Sequence, residues 1–408
     1  MFPTTRYRCL DRYLWRCQNA ATGRSISPMK RREPGKPRHL SPPKGWKLMH
    51  CRTSRSIWGL VVGTVAVSLA ACSSGSGGSA SGGGTAGGGG GGGGGGYVIG
   101  ISNTLVGNGW REEMICAAKA QSLASGKVKK FISANRNGGP TEQIADLRSL
   151  ISQGVNAIVV NPSDPDKLND VIAEAKSKGI VVVAVDSAVT SPAAYNVTND
   201  QVEYGRLGGE ALGKLLNGTG NVVEMRGIPG VPADTDRHTG FTAALKSYPG
   251  IKVVQEVNTG WDFSKAGQQA LDLLNSSTQV GGIWTSGTDY TVVNAFKTLN
   301  KTPVPVIGAD ENGFIGQLLN DQAVKGAVVT NPAVIGGVGT AIAIDALSGK
   351  TVEKKTVLKP EVWYKSDTDK LKANYVADRQ PTFSAATQVK PWTTYTNEQL
   401  AACKGPGE

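Results

Sequence analysis

Histidine is scarce in this chain of 408 residues: there are three in all, and beyond residue 50 only His238. Past the leader described below, a multi-histidine metal site is therefore excluded, and a Ser-His-Asp relay would have to use that one imidazole. Neither a G-x-S-x-G elbow nor a G-x-x-x-x-G-K-[ST] loop occurs, which removes two common signatures of hydrolytic and phosphate-binding chemistry. The glycine run 87–96 is no phosphate cradle, because it is a homopolymer with no strand before it. Length alone suggests about two domains.

What is present begins with a leader. Ile57 to Ala71 is an uncharged stretch of about fifteen residues behind Arg52 and Arg55, suited to a signal-peptide core and short of the roughly twenty residues of a membrane span. It ends in Leu69-Ala70-Ala71-Cys72, which resembles a bacterial lipobox; the resemblance implies that Cys72 is lipidated and becomes the first mature residue. We expect residues 1–48 to be an upstream extension from a mis-called start, 49–71 the signal peptide, and 72–96 the lipidated cysteine with a flexible Gly/Ser tether. Removing residues 1–71 takes away 14 of the 44 basic and 2 of the 32 acidic residues, leaving 30 of each. The basic balance thus belongs to the leader and lends no support to nucleic-acid binding.

Of six cysteines, Cys9, Cys17 and Cys51 lie in the leader and Cys72 is assigned to lipid, leaving Cys116 and Cys403. In an oxidising compartment these two are expected to form one disulfide pinning the C-terminal tail to the first helix; two unrelated buried thiols are the alternative.

From Tyr97 onward, apolar runs alternate with segments of helical period. The expected strands are 97–102, 129–135, 157–162 and 181–186, then, after YNVTND (195–200) and a helix from Gln201, 221–227, 252–258, 281–287, 304–310 and 325–331. Nearly continuous Val/Ile runs joined by helices predict parallel sheets buried on both faces, in two successive open α/β units. Ligands of such sheets bind outside the carboxyl ends of the strands, and every strand here ends in polar text. The stretch Val106 to Met114, VGNGWREEM, is one example: it puts Trp110 in a turn where a small residue would suffice, which aims the ring at a cleft between the units. Asp186, Asp236, Asp289 and Asp310 could pair as acid and base, but acids placed one per strand end suit recognition of hydroxyls better, at about 1.5–3 kcal/mol per charged hydrogen bond.

Together these residues resemble the periplasmic sugar-binding proteins of the ribose and galactose type, over about residues 97–365. The resemblance implies an α/β fold of two open, doubly wound parallel-sheet lobes joined by a hinge, the type I periplasmic binding protein. It places Asn108 and Trp110 after the first strand, where Asn-Gly-Trp stands for the usual Asn-Pro-Phe. Asp186 ends the fourth strand, with Ser187 in place of a frequent Arg. Within GIPGVPADTDRHTGF it puts Arg237 in the cleft, and WDFSKA sets Trp261 opposite Trp110. Thr288 and Asp289 stand for a usual Asn-Asp pair, GADENG supplies Asp310, and TNP supplies Asn331 at a hinge crossing. Each keeps a plainer reading: Trp110 and Trp261 as aromatics at the edge of a core, Arg237 as a loop cap, Asp289 as a first-turn acid, Arg111 and Glu112 as a solvated helix start.

The resemblance implies one lobe from 97–200 with 332–362, a second from 201–331 with 363–408, and crossings near Asp200, Asn331 and Glu361 to Tyr364. It implies an extracytoplasmic, lipid-anchored monomer, not an enzyme and without cofactor, metal or nucleic-acid partner, that captures a sugar or polyol for an ABC permease. A sensing receptor of the same fold, not coupled to transport, is the alternative. A transcription regulator of related fold would need a DNA-binding helix-turn-helix where the signal peptide and polyglycine stand, and a glycosidase would need turnover.

Overall fold

The computed structural model describes residues 95–408; the upstream extension, the signal peptide, Cys72 and the tether up to residue 94 lie outside the described residues. The chain first builds β1 (Tyr97–Asn103), α1 (Gly109–Ala124), β2 (Val128–Asn135), α2 (Pro140–Ser152), β3 (Ala157–Val160), α3 (Asn169–Ser177), β4 (Val181–Asp186) and β5 (Tyr195–Asn199). It continues through α4 (Gln201–Leu215), β6 (Thr219–Arg226), α5 (Pro232–Leu245), β7 (Gly250–Asn258), α6 (Phe263–Asn275) and β8 (Gly282–Thr285). There follow α7 (Asp289–Thr298), β9 (Val306–Ala309), α8 (Asn312–Asn320), β10 (Gly326–Val329), α9 (Ile335–Leu347), β11 (Lys355–Leu358), β12 (Val362–Tyr364), α10 (Thr368–Asn374) and α11 (Asn397–Ala402).

The strands form two six-stranded sheets, ordered β11-β5-β4-β3-β1-β2 and β12-β10-β9-β8-β6-β7. Alternation across the sheet explains why these runs are strands: in β3, Ala157 and Val159 enter the core on one face while Ile158 and Val160 enter the core on the other. Helices α1, α2 and α3 stop where Gly126, Gly154 and Gly179 take positive φ (64°, 71° and 76°), which only glycine adopts freely. All nine expected strands are present. Three short ones, β5, β11 and β12, were not expected.

The connections explain the antiparallel pairing within the second sheet. β11 runs parallel to β5, whereas β12 runs antiparallel to β10. The chain leaves the first sheet at the carboxyl end of β11 and enters the second beside the carboxyl end of β10, so it must run against it. The other passages between sheets fall at Asp200, between β5 and α4, and at residues 330–334, between β10 and α9.

The C-terminal tail departs from the expected boundary, which assigned 363–408 to the second lobe. β12 and α10 do stay with the second sheet, with Leu371 in its core. Residues 381–385 also lie there, pairing Asn312 N with Phe383 O (2.8 Å) and Ala385 N with Asp310 O (2.7 Å). The tail then crosses to the first lobe, where Tyr395, Leu400 and Cys403 pack with Cys116, Ala117 and Ala120 of α1. The sulfurs of Cys116 and Cys403 meet at bonding distance, with Cα atoms 4.4 Å apart. A buried acid marks this fourth passage: Glu113 of α1 pairs with Arg379 and accepts from Ser384 N at 2.7 Å.

Candidate functional site

Between the carboxyl ends of the two sheets lies a concave space of about 440 Å³, lined by Asn108, Trp110, Arg111, Asp186, Arg237, Trp261, Ser286, Gly287, Ala309, Glu311 and Asn331. The start of α1 supplies three of these, its cap Asn108 and Trp110 and Arg111 of its first turn. Asn108 caps the helix, its side chain accepting from Arg111 N at 3.0 Å, and its amide donates across the cleft to Trp261 O at 2.9 Å. Trp110 crosses as well, donating from Nε1 to Asn331 O at 2.6 Å. The lobes are therefore in contact over the cleft, and Leu105 of the first lobe rests on Val231, Ala233 and Trp261 of the second.

Asp186 ends β4 in the left-handed region (φ 69°), a conformation that costs a non-glycine residue about 1–3 kcal/mol and is retained where surroundings hold it. Its holder is Gln201, which donates to Asp186 Oδ1 at 2.8 Å and accepts from Arg237 Nε at 2.7 Å. Arg237 also donates to Ser286 O (2.7 Å) and lies 4.3 Å over the Tyr204 ring. Close approach of α4 and α5 makes this arrangement possible: a Cβ on Gly205 would stand 1.9 Å from Arg237 O. Trp261, also left-handed (φ 54°), shares Ser286 O through Nε1 at 3.0 Å. One carbonyl thus sets both the guanidinium and the indole. The Asn331 amide sits at a hinge passage, within 3.0 Å of Arg237 Nη2 and 3.1 Å of Asn199 Nδ2.

Six of the nine expected ligand-binding residues line the cleft: Asn108, Trp110, Asp186, Arg237, Trp261 and Asn331. The other three do not. Thr288 is buried at the start of α7 with its hydroxyl unpartnered. Asp289 lies beneath Gly308, bonded to Thr285 Oγ1. Asp310 is turned to the hinge, accepting from Asn331 N at 2.8 Å and Ser384 Oγ at 2.9 Å. Asp236 and His238 are also outside the lining; His238 Nδ1 lies 3.0 Å from Glu224.

Of the five lining residues that were not expected, two are charged. Arg111, read as part of a solvated helix start, is 5% exposed and donates to Asn103 Oδ1 at 2.9 Å. Its place three residues past the capping Asn108 was the available signal. Glu311, neighbour of Asp310, is 4% exposed; its Oε2 accepts from Tyr290 N at 2.9 Å while Oε1 has no protein partner.

Burial dominates the electrostatics. It raises Asp186, against the pull of Arg237 and Arg111, and it lowers Arg111. It pushes Glu311 up to about 8 and holds Asp289 well above the usual carboxylate range, each acid opposing ionisation of its neighbours. Such a cleft can count hydroxyls from both sides while aromatic faces cover apolar C–H surface.

Two open α/β lobes, several chain passages at one side and a polar cleft between the strand ends define a hinged, two-lobed binding protein. The chain belongs to the periplasmic binding protein family, whose domain it matches over residues 99–351. It is 29% identical to a xylitol-binding protein of Mycolicibacterium smegmatis over 66% of this chain and 77% of that one. It is 25% identical to a ribose import binding protein of Bacillus subtilis over 63% of this chain and 84% of that one. Among solved structures, an ABC transporter solute binding protein from Thermobispora bispora superposes with a TM-score of 0.64 at 27% identity, covering 75% of this chain and 94% of that one. A second, from Mycobacterium smegmatis with bound glycerol, has the same TM-score and identity over 72% and 100%. The expected fold, two open doubly wound lobes of the type I periplasmic binding protein, is the one found.

Proposed function

We propose that this protein is an extracytoplasmic, lipid-anchored receptor that captures a neutral sugar or polyol in the interlobe cleft and delivers it to an ABC importer. The observation that carries this reading is the cleft itself: two tryptophans with Asn108, Asp186, Arg237 and Asn331 converging from both lobes. Relatives named for xylitol and ribose support the same ligand class. Asn108, Trp110, Arg111, Asp186, Arg237, Trp261 and Asn331 contact the ligand, and the bonds of Asn108 and Trp110 across the cleft belong to the closed form that the ligand favours. Thr288, Asp289 and Asp310 support the floor and hinge rather than the ligand.

The receptor acts by binding and has no catalytic residue. Lipid on Cys72 and the Gly/Ser tether keep it as a monomer at the outer face of the cell membrane, beside the permease. The Cys116–Cys403 pair is oxidised there, holding the tail to α1.

The test is a thermal-shift screen of the secreted chain from Ser73 to Glu408 against pentoses, hexoses, inositols, alditols and amino acids. A ligand at a hundred times its dissociation constant adds about 2.7 kcal/mol of stability. A selective shift with a sugar or polyol is expected. Shifts with amino acids alone would move the function to another solute.

A further inference from the structure

Three acids of the second lobe, Asp289, Asp310 and Glu311, meet at the floor of the cleft, and of these only Glu311 lines the ligand space. Asp310 is used on both oxygens, by Asn331 N and Ser384 Oγ. Asp289, whose Oδ2 is also unpartnered, is fully buried beneath Gly308 and outside the lining, and Asp186 lines the space from the opposite lobe with its Oδ1 held by Gln201. Glu311 lines the space, is almost wholly buried, and spends Oε2 on Tyr290 N–H while Oε1 meets no protein donor.

We propose that Glu311 is a specificity-determining residue that faces the ligand as a neutral carboxyl, donating a hydrogen bond from Oε1 to a ligand oxygen. The inference rests on the sugar or polyol reading above and sharpens it. The oxygen that accepts from Tyr290 N–H acts as the carbonyl, so the proton belongs on Oε1, the oxygen without a partner. An ionised Glu311 would add a charge beside Asp289 and Asp310, with no protein hydrogen bond on Oε1 to stabilise it.

Charged or titratable groups reach this floor from every side. Asp289 comes from α7, Tyr204 from α4, Arg237 from α5, Asp310 from the adjoining turn, and Arg111 and Asp186 from the first lobe. Burial raises Glu311 to about 8 in their presence. A donor at this point selects an acceptor, a ring or hydroxyl oxygen, and rejects a ligand that places an ammonium there. It therefore selects neutral polyhydroxyl ligands over aminated ones.

The experiment is calorimetric titration of the secreted chain with xylitol, D-ribose and myo-inositol at about pH 7 and pH 9, for wild type, Glu311→Gln and Glu311→Ala. Glutamine keeps the shape, with its oxygen on Tyr290 N–H and its NH2 as a donor toward the cleft. For a ligand that wild type binds, Glu311→Gln is expected to bind within about threefold of wild type at pH 7, and Glu311→Ala at least about tenfold more weakly. Wild-type affinity is expected to fall roughly tenfold from pH 7 to pH 9 as a group titrating at about 8 ionises, while the Glu311→Gln variant stays flat. Loss of binding in the Glu311→Gln variant as large as in Glu311→Ala, with both folded by circular dichroism, would overturn the proposal and make the carboxylate an acceptor. A pH profile shared by wild type and Glu311→Gln would overturn it too. If wild type binds none of the three probes, the sugar or polyol reading falls first and takes this inference with it, before any variant is compared.

Discussion

Removing Arg379 should destabilise the protein far more than loss of an exposed arginine does. Its partner Glu113 is 0% exposed on the first lobe, and the Arg379 side chain is 11% exposed on the tail, where it also donates to Ala385 O at 3.2 Å. Taking one partner from a buried pair leaves the other charged and desolvated, at a typical cost of about 3–5 kcal/mol, against about 0–1 kcal/mol for a surface pair. For a body of this size, that predicts a melting-temperature drop of roughly 5–15 °C in Arg379→Ala. Ser384 N still donates to Glu113 Oε2, which favours the lower end of the range. The assay is a double-mutant cycle in urea with Glu113→Gln, Arg379→Met and the double variant, since replacing both charges removes the stranded one. The double variant should be more stable than the sum of the single losses predicts. Strict additivity, or a loss below about 1 kcal/mol in Arg379→Ala, would refute the view that this pair is a buried clasp between the lobes.

Trp110→Ala and Asp186→Ala should each weaken ligand binding at least about tenfold, measured by calorimetry, with circular dichroism unchanged. Gly205→Ala drives a methyl to 1.9 Å from Arg237 O and should cost at least about 1–3 kcal/mol in urea unfolding, with weaker binding as α5 shifts. Stability should also fall with rising pH through the floor acids. The raised Glu311 favours the folded state fully below its ordinary value of 4.5, and that contribution is lost as pH passes about 8. Melting curves from pH 4 to pH 9 should show this decline in wild type and a shallower one in Glu311→Gln.

Legibility in the sequence followed the physics of each element. Runs such as VVVAVD are buried on both faces by two helical layers, so their composition alone marks them as strands. β12 is three residues long and β11 is half exposed, and nothing local distinguishes either from a loop. The tail is polar and turn-rich; its course depends on distant partners such as Glu113 and Cys116, which spacing does not reveal. Cleft residues at strand ends were legible because topology brings all such ends together. Asp310 and Glu311 were not separable in the same way: adjacent side chains diverge, and only the turn after β9 decides which acid faces the hinge and which the cleft. Arg111 was missed because the first turn of an amphipathic helix commonly carries charge to solvent, and here the side chain is buried at the cleft against Asn103.

The last residues of the tail have a consequence for solubility. β2 is the outermost strand of its sheet, and an open edge invites a strand from another molecule. Phe131 N–H, which points off that edge, donates to Pro406 O at 2.9 Å, and Gly407 lies against Lys129 and Lys130. The corresponding edge of the other sheet, β7, is guarded differently: its pairing with β6 slips register between Val222 and Val223, and Lys252 and Glu256 break up the exposed Val253 and Val254. One edge is thus shielded by the protein's own chain and the other by irregularity and charge. Shortening the tail before Pro406 would strip the first guard and leave the second, so a truncated protein would be expected to self-associate through β2.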